Sequence, residues 1–359
     1  MPTAKNSILP ILAAALLCRG PVVLRRAPRL RDVDTSLALL AALGCTARRA
    51  GADLQLAPAD VVGDTVPPAL MAAMRSSVYY LAPMLARAGR ARVAFPGGCR
   101  LGARPIDIHL AGLAAMGAVI DAGAEALDCR APGGLRGCEF HLRFPSVGAT
   151  ETLMIAAAVA RGRTVLTGAA REPEIADLAA FLNACGGSVL LRRAPLAPLQ
   201  PTAALLRRAG CQVSAPAPDC VALVSEGRLD AAGELATGVY PAFATDAGPL
   251  FAAAMLRARG VTLLRETIFA RRFACAGGFA ALGADVRCSG GDLRICGVPR
   301  LRGAPLAAAD LRGGAALVLA ALAAEGESTI SGTEYIGRGY ENIAALFAGL
   351  GADIRTAQD

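Results

Sequence analysis

Two helical patterns alternate along the chain and together predict its fold class. In the first, an amphipathic helix ends at a glycine and leads into a strand, as from Leu113 to Ile120. Its glycines are Gly44, Gly117, Gly186, Gly210, Gly283 and Gly351. In the second, an Ala/Leu-rich helix with a polar start is followed by a glycine turn and a strand, and the turn glycines are Gly20, Gly89, Gly162, Gly260 and Gly326. This alternation indicates an α/β protein built from internal repeats.

The spacing of these glycines predicts the number of repeats. Successive glycines are 73, 69, 24, 73 and 68 residues apart in the first pattern and 69, 73, 98 and 66 apart in the second. Both irregular spacings fall between about Leu191 and Leu205, where about 46 residues are missing from a period of about 70. The spacing predicts two domains of three repeats each, over 5–195 and 196–359, with half a repeat absent from the second. The proline-containing segment from Arg192 to Thr202 is the predicted linker.

Composition narrows the class of ligand. The chain has 359 residues, of which 54% are hydrophobic, and this length suits about two domains. Its net charge of +8 comes almost entirely from scattered arginines, without a basic tail, so nucleic-acid binding is disfavoured and a small polyanionic ligand is favoured. A general preference for arginine over lysine explains the same composition. Lys5, the only lysine, then marks a position where a compact ammonium is needed.

Cysteine and histidine usage argues against metal sites and disulfides. The 11 cysteines are irregularly spaced, and His109 and His141 are the only histidines, so no metal or other cofactor is predicted. The apolar stretch from Ile8 to Leu17 resembles the core of a signal peptide, but a leucine precedes Cys18 where a small residue is expected. The same type of segment also recurs inside the chain. We therefore expect a cytoplasmic protein that does not bind membranes.

One loop carries candidate chemistry. Residues 95–107 place three glycines around Cys99, with Arg100 and Arg104 beside it. Neighbouring cations lower the pKa of a thiol and make it reactive, so the pattern predicts a mobile loop with a reactive cysteine. The alternative is a surface loop in which the cysteine is incidental.

The loop motif belongs to a longer series of matches. Gly97-Gly98-Cys99 with Gly102-Ala103-Arg104-Pro105 resembles the catalytic loop of the UDP-N-acetylglucosamine enolpyruvyl transferases. Further motifs match this family in order: Ala4-Lys5-Asn6-Ser7, Arg31-Asp32-Val33-Asp34-Thr35, Phe144-Pro145-Ser146-Val147-Gly148-Ala149-Thr150, Ala170-Arg171-Glu172-Pro173-Glu174-Ile175, Pro241-Ala242-Phe243-Ala244-Thr245-Asp246, Glu266-Thr267-Ile268-Phe269, Arg272-Phe273, Asp310-Leu311-Arg312 and Arg338-Gly339-Tyr340-Glu341. The resemblance implies a two-domain inside-out α/β barrel of βαβαββ units, with the second domain incomplete. It also implies transfer of enolpyruvate from phosphoenolpyruvate to the 3′-hydroxyl of UDP-N-acetylglucosamine, the first committed step of peptidoglycan synthesis.

The resemblance also implies roles for individual residues. Cys99 is implied as the acid that protonates the methylene carbon of phosphoenolpyruvate, and Asp246 as the base at the sugar hydroxyl. The implied phosphoryl clamp is Lys5, Arg104 and Arg338, and the implied carboxylate clamp is Arg272 and Arg312. The implied UDP-sugar contacts are Asn6, Arg75, Arg104, Pro105, Ile106, Asp107, Ile108, Phe144, Pro145, Ser146, Val147 and Ile268. Ordinary packing explains Ile106, Phe144 and Ile268 equally well, and we expect Asp32 and Glu172 to have structural roles.

The chain departs from the family pattern at three places. The strand before Lys5 is missing, the half repeat near residue 195 would include the family's hinge motif Pro-Asp-Arg-Ile-Glu-Thr-Gly, and Gly337 stands where the family usually has aspartate. An incomplete domain exposes apolar surface, so low stability or self-association is expected. Two alternatives to an active transferase therefore stay open. One is a non-catalytic UDP-sugar-binding paralogue, and the other is the sister enzyme that acts on shikimate 3-phosphate.

Overall fold

The computed structural model describes residues 5–58, 60, 62–97, 105–124, 126–185, 200–217, 220–225 and 228–356, and these form a mixed α/β protein. The helices of these segments are α1 (Lys5–Ala15), α2 (Arg31–Ala42), α3 (Pro68–Ala73), α4 (Leu81–Ala88), α5 (Asp107–Ala115), α6 (Val147–Ala157), α7 (Pro173–Ala184), α8 (Gln200–Arg208), α9 (Gly248–Met255), α10 (Ala276–Ala281), α11 (Leu311–Leu322), α12 (Thr333–Ile336) and α13 (Ile343–Ala348). Two 3₁₀ turns, Arg75–Tyr80 and Thr245–Ala247, directly precede α4 and α9.

The strands of the same segments are short. They are β1 (Val22–Leu24), β2 (Thr46–Ala50), β3 (Asp53–Ala57), β4 (Arg90–Ala94), β5 (Val119–Ala122), β6 (Ala126–Arg130), β7 (Glu139–His141), β8 (Val165–Thr167), β9 (Gln212–Ala217), β10 (Cys220–Val224), β11 (Gly233–Ala236), β12 (Val261–Arg265), β13 (Asp285–Ser289), β14 (Asp292–Cys296), β15 (Pro305–Ala307) and β16 (Thr329–Ser331). They pair into six sheets of two to four strands, and none of these closes into a barrel within the described ranges.

The predicted repeat is confirmed by the topology of these sheets. Residues 233–296 form a βαβαββ unit in which β11 and β12 are parallel, the hairpin β13–β14 is antiparallel, and the strand order is β11-β12-β14-β13. The orders β1-β3-β2 and β4-β6-β5 repeat the arrangement of its last three strands. Helices α2, α5 and α10 occupy the same place in each unit, before the antiparallel hairpin.

Glycine determines where these helices end. The helix-ending glycines within the described ranges, Gly44, Gly117, Gly210, Gly283 and Gly351, all have φ between 83° and 94°. Only glycine adopts this left-handed conformation without a steric penalty, so the helix stops there and the chain turns away. A strand follows the first four of them, whereas residues 352–356 after Gly351 form none. Gly186 lies outside the described residues.

The described chain divides into two compact units, which we call the first unit (residues 5–185) and the second unit (residues 200–356). Each has its own core built from aliphatic side chains. Leu12, Leu39 and Leu153 are completely buried in the first unit, as are Phe279 and Leu293 in the second. Burial of each such side chain contributes about 1.5–3 kcal/mol.

The predicted linker is wrong at its C-terminal end. Gln200 to Thr202 form the first turn of α8, with Pro201 as the second residue of that helix. Proline is tolerated there because a first-turn N–H has no partner within the helix. The rest of the predicted linker, 192–199, lies outside the described residues. Among the helices that the structure describes, none is long and apolar enough to cross a membrane.

Candidate active site

Asp246 lies between two arginines in the second unit. Its Oδ1 accepts a hydrogen bond from Arg272 Nη2 at 2.9 Å, and its Oδ2 accepts from Arg312 Nη2 at 2.8 Å and Nε at 3.0 Å. The carboxylate sits in the 3₁₀ turn before α9, and the arginines come from positions 26 and 66 residues further along the chain. The cluster carries one more positive charge than Asp246 neutralises, so it favours a further anion.

Arg272 is held in place by Thr245 and Phe269 in addition to Asp246. Its Nε donates to Thr245 Oγ1 at 2.9 Å, and its guanidinium carbon lies 4.7 Å from the centre of the Phe269 ring. The Thr245 hydroxyl donates to Glu266 Oε2 at 2.8 Å, while Glu266 Oε1 accepts from the backbone N–H groups of Ile268 and Phe269 at 2.7 and 2.9 Å. Only 1% of the Arg272 side chain is exposed. In this arrangement it orients Asp246, and its implied contact with a substrate carboxylate stays a prediction.

Arg312 is the more accessible of the two arginines, with 19% of its side chain exposed. It is the second residue of α11, whose N-cap Asp310 accepts from the backbone N–H of Arg312 at 3.0 Å and of Gly313 at 2.9 Å. Burial alone lowers the pKa of Arg312, but the charge of Asp246 and a 3.3 Å hydrogen bond to the Tyr340 hydroxyl raise it above its ordinary value. Arg312 therefore remains a cation that an incoming carboxylate can share with Asp246.

Arg338 and Tyr340 lie in the turn that follows α12, so this segment approaches the cluster through Tyr340. Tyr340 belongs to the matched motif Arg338-Gly339-Tyr340-Glu341, but the motif alone indicates no role for it. A close approach also explains the glycine after Arg312, because a Cβ on Gly313 would lie 2.6 Å from Asp310 Oδ2. The Asp-Leu-Arg-Gly sequence thus encodes a capped helix that presents an arginine in its first turn.

The first unit contains a second charged pair among the predicted site residues. Lys5, the first residue of α1, places Nζ 2.7 Å from Asp32 Oδ2, and the two side chains are 15% and 5% exposed. Asn6 donates from Nδ2 to Glu174 Oε1 at 3.2 Å. Asp32 thus has the structural role expected for it. The implied role of Lys5 in binding a phosphoryl group stays a prediction.

Two of the implied UDP-sugar contacts, Asp107 and Ile108, line a shallow groove on the first unit together with Phe140, His141 and Arg143. Arg143 forms an ion pair with Asp107 across this groove. A planar aromatic ring beside a paired cation and carboxylate suits a polar ring system with hydrogen-bonding edges. The structure therefore brings one part of the implied nucleotide contacts onto a common surface.

The remaining implied contacts are spread over several environments. Ile106 is 8% exposed and packs in the core, as the alternative interpretation had it, whereas Phe144 is 44% exposed. Ser146 caps α6 by accepting from the backbone N–H of Ala149 at 3.3 Å, with Pro145 and Val147 half-buried beside it. Arg75 is half-buried and donates to the Pro96 carbonyl at 3.4 Å. Pro105 is exposed, Ile268 is half-buried, and Cys99 and Arg104 lie outside the described residues.

His109, a residue of α5 with no predicted role, is buried against the start of α6. Its Nδ1 is hydrogen-bonded to Thr152 Oγ1 at 2.9 Å. Burial, with a smaller effect of the positive charge on Arg75, lowers the pKa of His109 to about 3. The imidazole is therefore neutral at physiological pH and supports α6 by hydrogen bonding. Its position directly after Ile108, the last of a run of implied contacts, was the available signal.

Glu151 of α6 is a second buried titratable group in the first unit. It is completely buried, and neither carboxyl oxygen has the geometry of a hydrogen bond to any described residue. Burial raises its pKa well above the ordinary value, and the charges of Glu174 and Glu172 raise it further, while an interaction with Tyr79 offsets only part of the rise. We infer that Glu151 is a neutral carboxylic acid in the folded protein at physiological pH.

We expect Glu151→Gln to stabilise the protein increasingly as pH rises. Because the folded-state pKa exceeds the unfolded one, stability is greatest below the unfolded pKa of about 4.3 and falls as pH rises towards the folded pKa. Glutamine does not titrate in this range, so the gain in the free energy of unfolding over wild type should reach about 1–3 kcal/mol at pH 8. Thermal melts of both proteins at pH 5 and pH 8 measure this. Glu139→Gln, at an exposed position, is the matched control, and a gain equal at both pH values would contradict the assignment.

Comparison with known proteins identifies the relatives of this chain. The model of the family described as EPSP synthase (3-phosphoshikimate 1-carboxyvinyltransferase) matches residues 1–196 and 184–346. UDP-N-acetylglucosamine 1-carboxyvinyltransferase from Maricaulis maris is 40% identical over 403 residues, covering 99% of this chain and 95% of the relative. The enzyme of the same name from Oleidesulfovibrio alaskensis is 39% identical over 398 residues, covering 98% of this chain and 94% of the relative.

The alignment with the second of these relatives is longer than the chain. Its 398 positions contain 98% of the 359 residues, which is about 352, so about 46 positions have no counterpart here. This number agrees with the half repeat that the glycine spacing predicts to be absent. Among solved structures, the crystal structure of the enolpyruvyl transferase NikO from Streptomyces tendae superposes with a TM-score of 0.85 at 24% identity, covering 98% of this chain and 94% of that one.

The two comparisons establish different things. The structural similarity at this low identity shows a shared fold. The sequence identity to full-length relatives, together with the family model that spans almost the whole chain, shows the lineage. The chain therefore belongs to the EPSP synthase family, and within it to the UDP-N-acetylglucosamine 1-carboxyvinyltransferases.

Proposed function

We propose that this protein transfers the enolpyruvyl group of phosphoenolpyruvate to the 3′-hydroxyl of UDP-N-acetylglucosamine and releases phosphate. The observation that carries the proposal is the cluster of Asp246 with Arg272 and Arg312, which joins a carboxylate able to accept a proton to two cations. Relatives that are 39 and 40% identical bear the name of this activity. The experiment that tests the proposal is an assay of phosphate release with both substrates.

The chemistry assigned to the second unit is proton removal and binding of the substrate carboxylate. Asp246 accepts the proton of the sugar hydroxyl as the oxygen attacks C2 of phosphoenolpyruvate. Both Asp246 oxygens are engaged by arginines in this structure. A substrate carboxylate that binds Arg312 would compete for that guanidinium, and so would release an Asp246 oxygen towards the hydroxyl. Binding of one substrate thereby prepares the base for the other.

The chemistry assigned to the first unit is proton donation and phosphoryl binding. In this proposal Cys99 gives a proton to the methylene carbon as the C2–O bond to the sugar forms. Phosphate then leaves C2 while one proton of the new methyl group returns to the Cys99 thiolate, and this restores the double bond. Lys5 and Arg104, together with Arg338 of the second unit, hold the phosphoryl group, whose negative charge grows as it leaves. Lys5 is already paired with Asp32, so a bound phosphoryl group would share its ammonium, which has three donors.

We expect an epoxide phosphonate such as fosfomycin to alkylate Cys99 selectively. A thiol flanked by arginines reacts through its thiolate, and the phosphonate is attracted by the same cations that would bind a phosphoryl group. Mass spectrometry of the digested protein after brief exposure should find the adduct on Cys99. Cys185 and Cys288, which are exposed, are internal controls for general thiol reactivity. Equal labelling of these three cysteines would contradict the assignment, as would undiminished labelling in a Cys99→Ser variant.

The remaining parts of the proposal concern architecture, ligand contacts and location. We retain the inside-out barrel of βαβαββ units, with three in residues 5–195 and about two in 196–359, and the implied UDP-sugar contacts. The protein is proposed to act in the cytoplasm, without nucleic-acid or membrane partners.

It is also proposed to self-associate through the incomplete second domain, where Leu346 and Leu350 are 57% and 76% exposed. A monomer by size-exclusion chromatography that melts cooperatively would contradict self-association.

A non-catalytic UDP-sugar-binding protein is the second candidate, and the roughly 46 alignment positions without a counterpart favour it. Their predicted location near residue 195 would remove the family's hinge motif. Binding of UDP-N-acetylglucosamine without phosphate release would support this candidate. The sister activity on shikimate 3-phosphate is separated from both by replacing the sugar nucleotide in the same assay.

A further inference from the structure

Helices α1 and α7 of the first unit pack side by side and in parallel. Near their N-terminal ends, Asn6 bonds Glu174, and the Ser7 hydroxyl donates to Asp177 Oδ2 at 2.5 Å. From Ser7, α1 and the turn after it run 11 residues to Cys18, and from Asp177, α7 runs 8 residues to Cys185. At about 1.5 Å per helical residue these runs measure about 16.5 and 12 Å, so the heights of the two cysteines along the pair differ by about 4.5 Å.

The thiols of Cys18 and Cys185 meet at this end. Cys18 lies in the turn after α1, with its N–H bonded to the Ala15 carbonyl at 3.1 Å, and Cys185 is the C-cap of α7, with its N–H bonded to the Phe181 carbonyl at 3.0 Å. Both backbones are thus fixed, and the side chains of Cys18 and Cys185 are close enough to interact. Both cysteines are unbridged in this structure, Cys185 exposed and Cys18 partly buried.

We propose that Cys18 and Cys185 form a redox-active dithiol that is converted to a disulfide by exchange with a small-molecule disulfide such as oxidised glutathione. The Cys185 thiolate attacks one glutathione sulfur, and one glutathione leaves as its thiolate. The Cys18 thiolate then attacks the Cys185 sulfur of the mixed disulfide and releases the second glutathione. The two protons that the cysteines lose are taken up by the departing thiolates, so one disulfide is reduced as one is formed.

The surroundings of the two cysteines indicate which thiol reacts first. Cys185 is exposed and reaches a disulfide in solution first. Burial and the contact with Cys185 raise the pKa of Cys18 to about 12, and the nearby Arg87 guanidinium opposes this rise. Arg87 is anchored at Cys18, because its Nη1 donates to the carbonyls of Leu16 at 2.9 Å and Cys18 at 3.0 Å. Cys18 is therefore the slower, resolving thiol, and a cation is in place to stabilise its thiolate.

The proposed dithiol does not depend on the proposed transferase activity. Its bridge would tie the end of α1 to the end of α7, on the helix whose first residue is Lys5. Such a link closes a loop of about 168 residues and restricts the unfolded chain, so oxidation should raise the melting temperature of the first unit.

Exposure of the full chain to excess oxidised glutathione, followed by alkylation and peptide mapping, tests the proposal. Wild type should give a single cross-linked peptide pair that contains Cys18 and Cys185, and one equivalent of dithiothreitol should reverse it. In Cys18→Ser, the Cys185–glutathione adduct should persist, because no resolving thiol remains. In Cys185→Ser, Cys18 should stay unmodified on the same timescale. Cys288→Ser, which removes an exposed cysteine of the second unit, should cross-link like wild type.

Three outcomes would overturn the proposal. One is accumulation of glutathionylated Cys185 in wild type without a cross-link, and another is a mixture of bridges that involves other cysteines. The third is equal adduct lifetimes at Cys185 in wild type and Cys18→Ser. Circular dichroism of each variant before oxidation confirms that the helices to be bridged are intact.

Discussion

Replacement of Asp246 by asparagine is expected to lower kcat about 10²- to 10⁴-fold, the usual contribution of a positioned general base. Asparagine keeps the size of the side chain, and its carbonyl oxygen can still accept from Arg272 or Arg312, but it cannot take the proton of the sugar hydroxyl. Steady-state phosphate release measures the effect. The KM for UDP-N-acetylglucosamine should change far less than kcat, because the lost interaction belongs to the transition state.

Two comparisons make this result specific. Asp230→Asn removes a carboxylate from the same unit that is 60% exposed and 3.9 Å from Arg259, so its kcat should match wild type. The melting temperature of Asp246→Asn shows whether the fold survives, since the substitution leaves the buried Arg272 without its anionic partner. An Asp246→Asn protein with wild-type kcat would exclude Asp246 as the base.

Arg272→Met is expected to reduce the free energy of unfolding by about 2–4 kcal/mol and kcat/KM by about 10²-fold. The stability loss follows from three contacts of a side chain that is 1% exposed: the bonds to Thr245 and Asp246 and the position over the Phe269 ring. The kinetic loss follows because one Asp246 oxygen loses the group that orients it. Chemical denaturation and phosphate release measure the two effects.

Arg271→Met is the matched control, because Arg271 precedes Arg272 in the chain but is exposed. It should alter stability by no more than about 0.5 kcal/mol. Arg272→Lys keeps the charge but lacks the planar fork that bonds Thr245 and Asp246 together, so it should recover only part of the loss. Equal stability of the Arg271 and Arg272 variants would show that the buried cluster does not stabilise the second unit.

The features that the sequence predicts correctly are local ones. A few consecutive residues determine where a helix ends at Gly44 or Gly283 and a strand follows, because only glycine enters the left-handed conformation at no steric cost. Repetition of this signal predicted an internal repeat, whereas the family resemblance implied its βαβαββ form. The end of the linker was wrong because Pro201 indicates a turn or a first helical turn equally well, and only the packing of α8 decides between them.

The contacts of the candidate site depend on distant parts of the chain. Asp246 and Arg312 are 66 residues apart, and Arg312 and Tyr340 are 28 apart, so periodicity could not show that they meet. Family resemblance implied separate roles for Asp246 and Arg312, and it included Tyr340 in a motif without assigning it a role. Glu151 escaped notice for another reason. It lies in the Ala/Leu-rich part of α6, where a single carboxyl is typical of an exposed helix face, and its complete burial emerges only from the helices packed around it.

The central claim is that the chain is a working enolpyruvyl transferase in spite of the half repeat that it lacks. The most direct test is phosphate release by the purified full chain in the presence of phosphoenolpyruvate and UDP-N-acetylglucosamine. We predict release that requires both substrates, stops after fosfomycin treatment, and does not occur when shikimate 3-phosphate replaces the sugar nucleotide. A cooperatively folded protein that binds UDP-N-acetylglucosamine but releases no phosphate would contradict the claim.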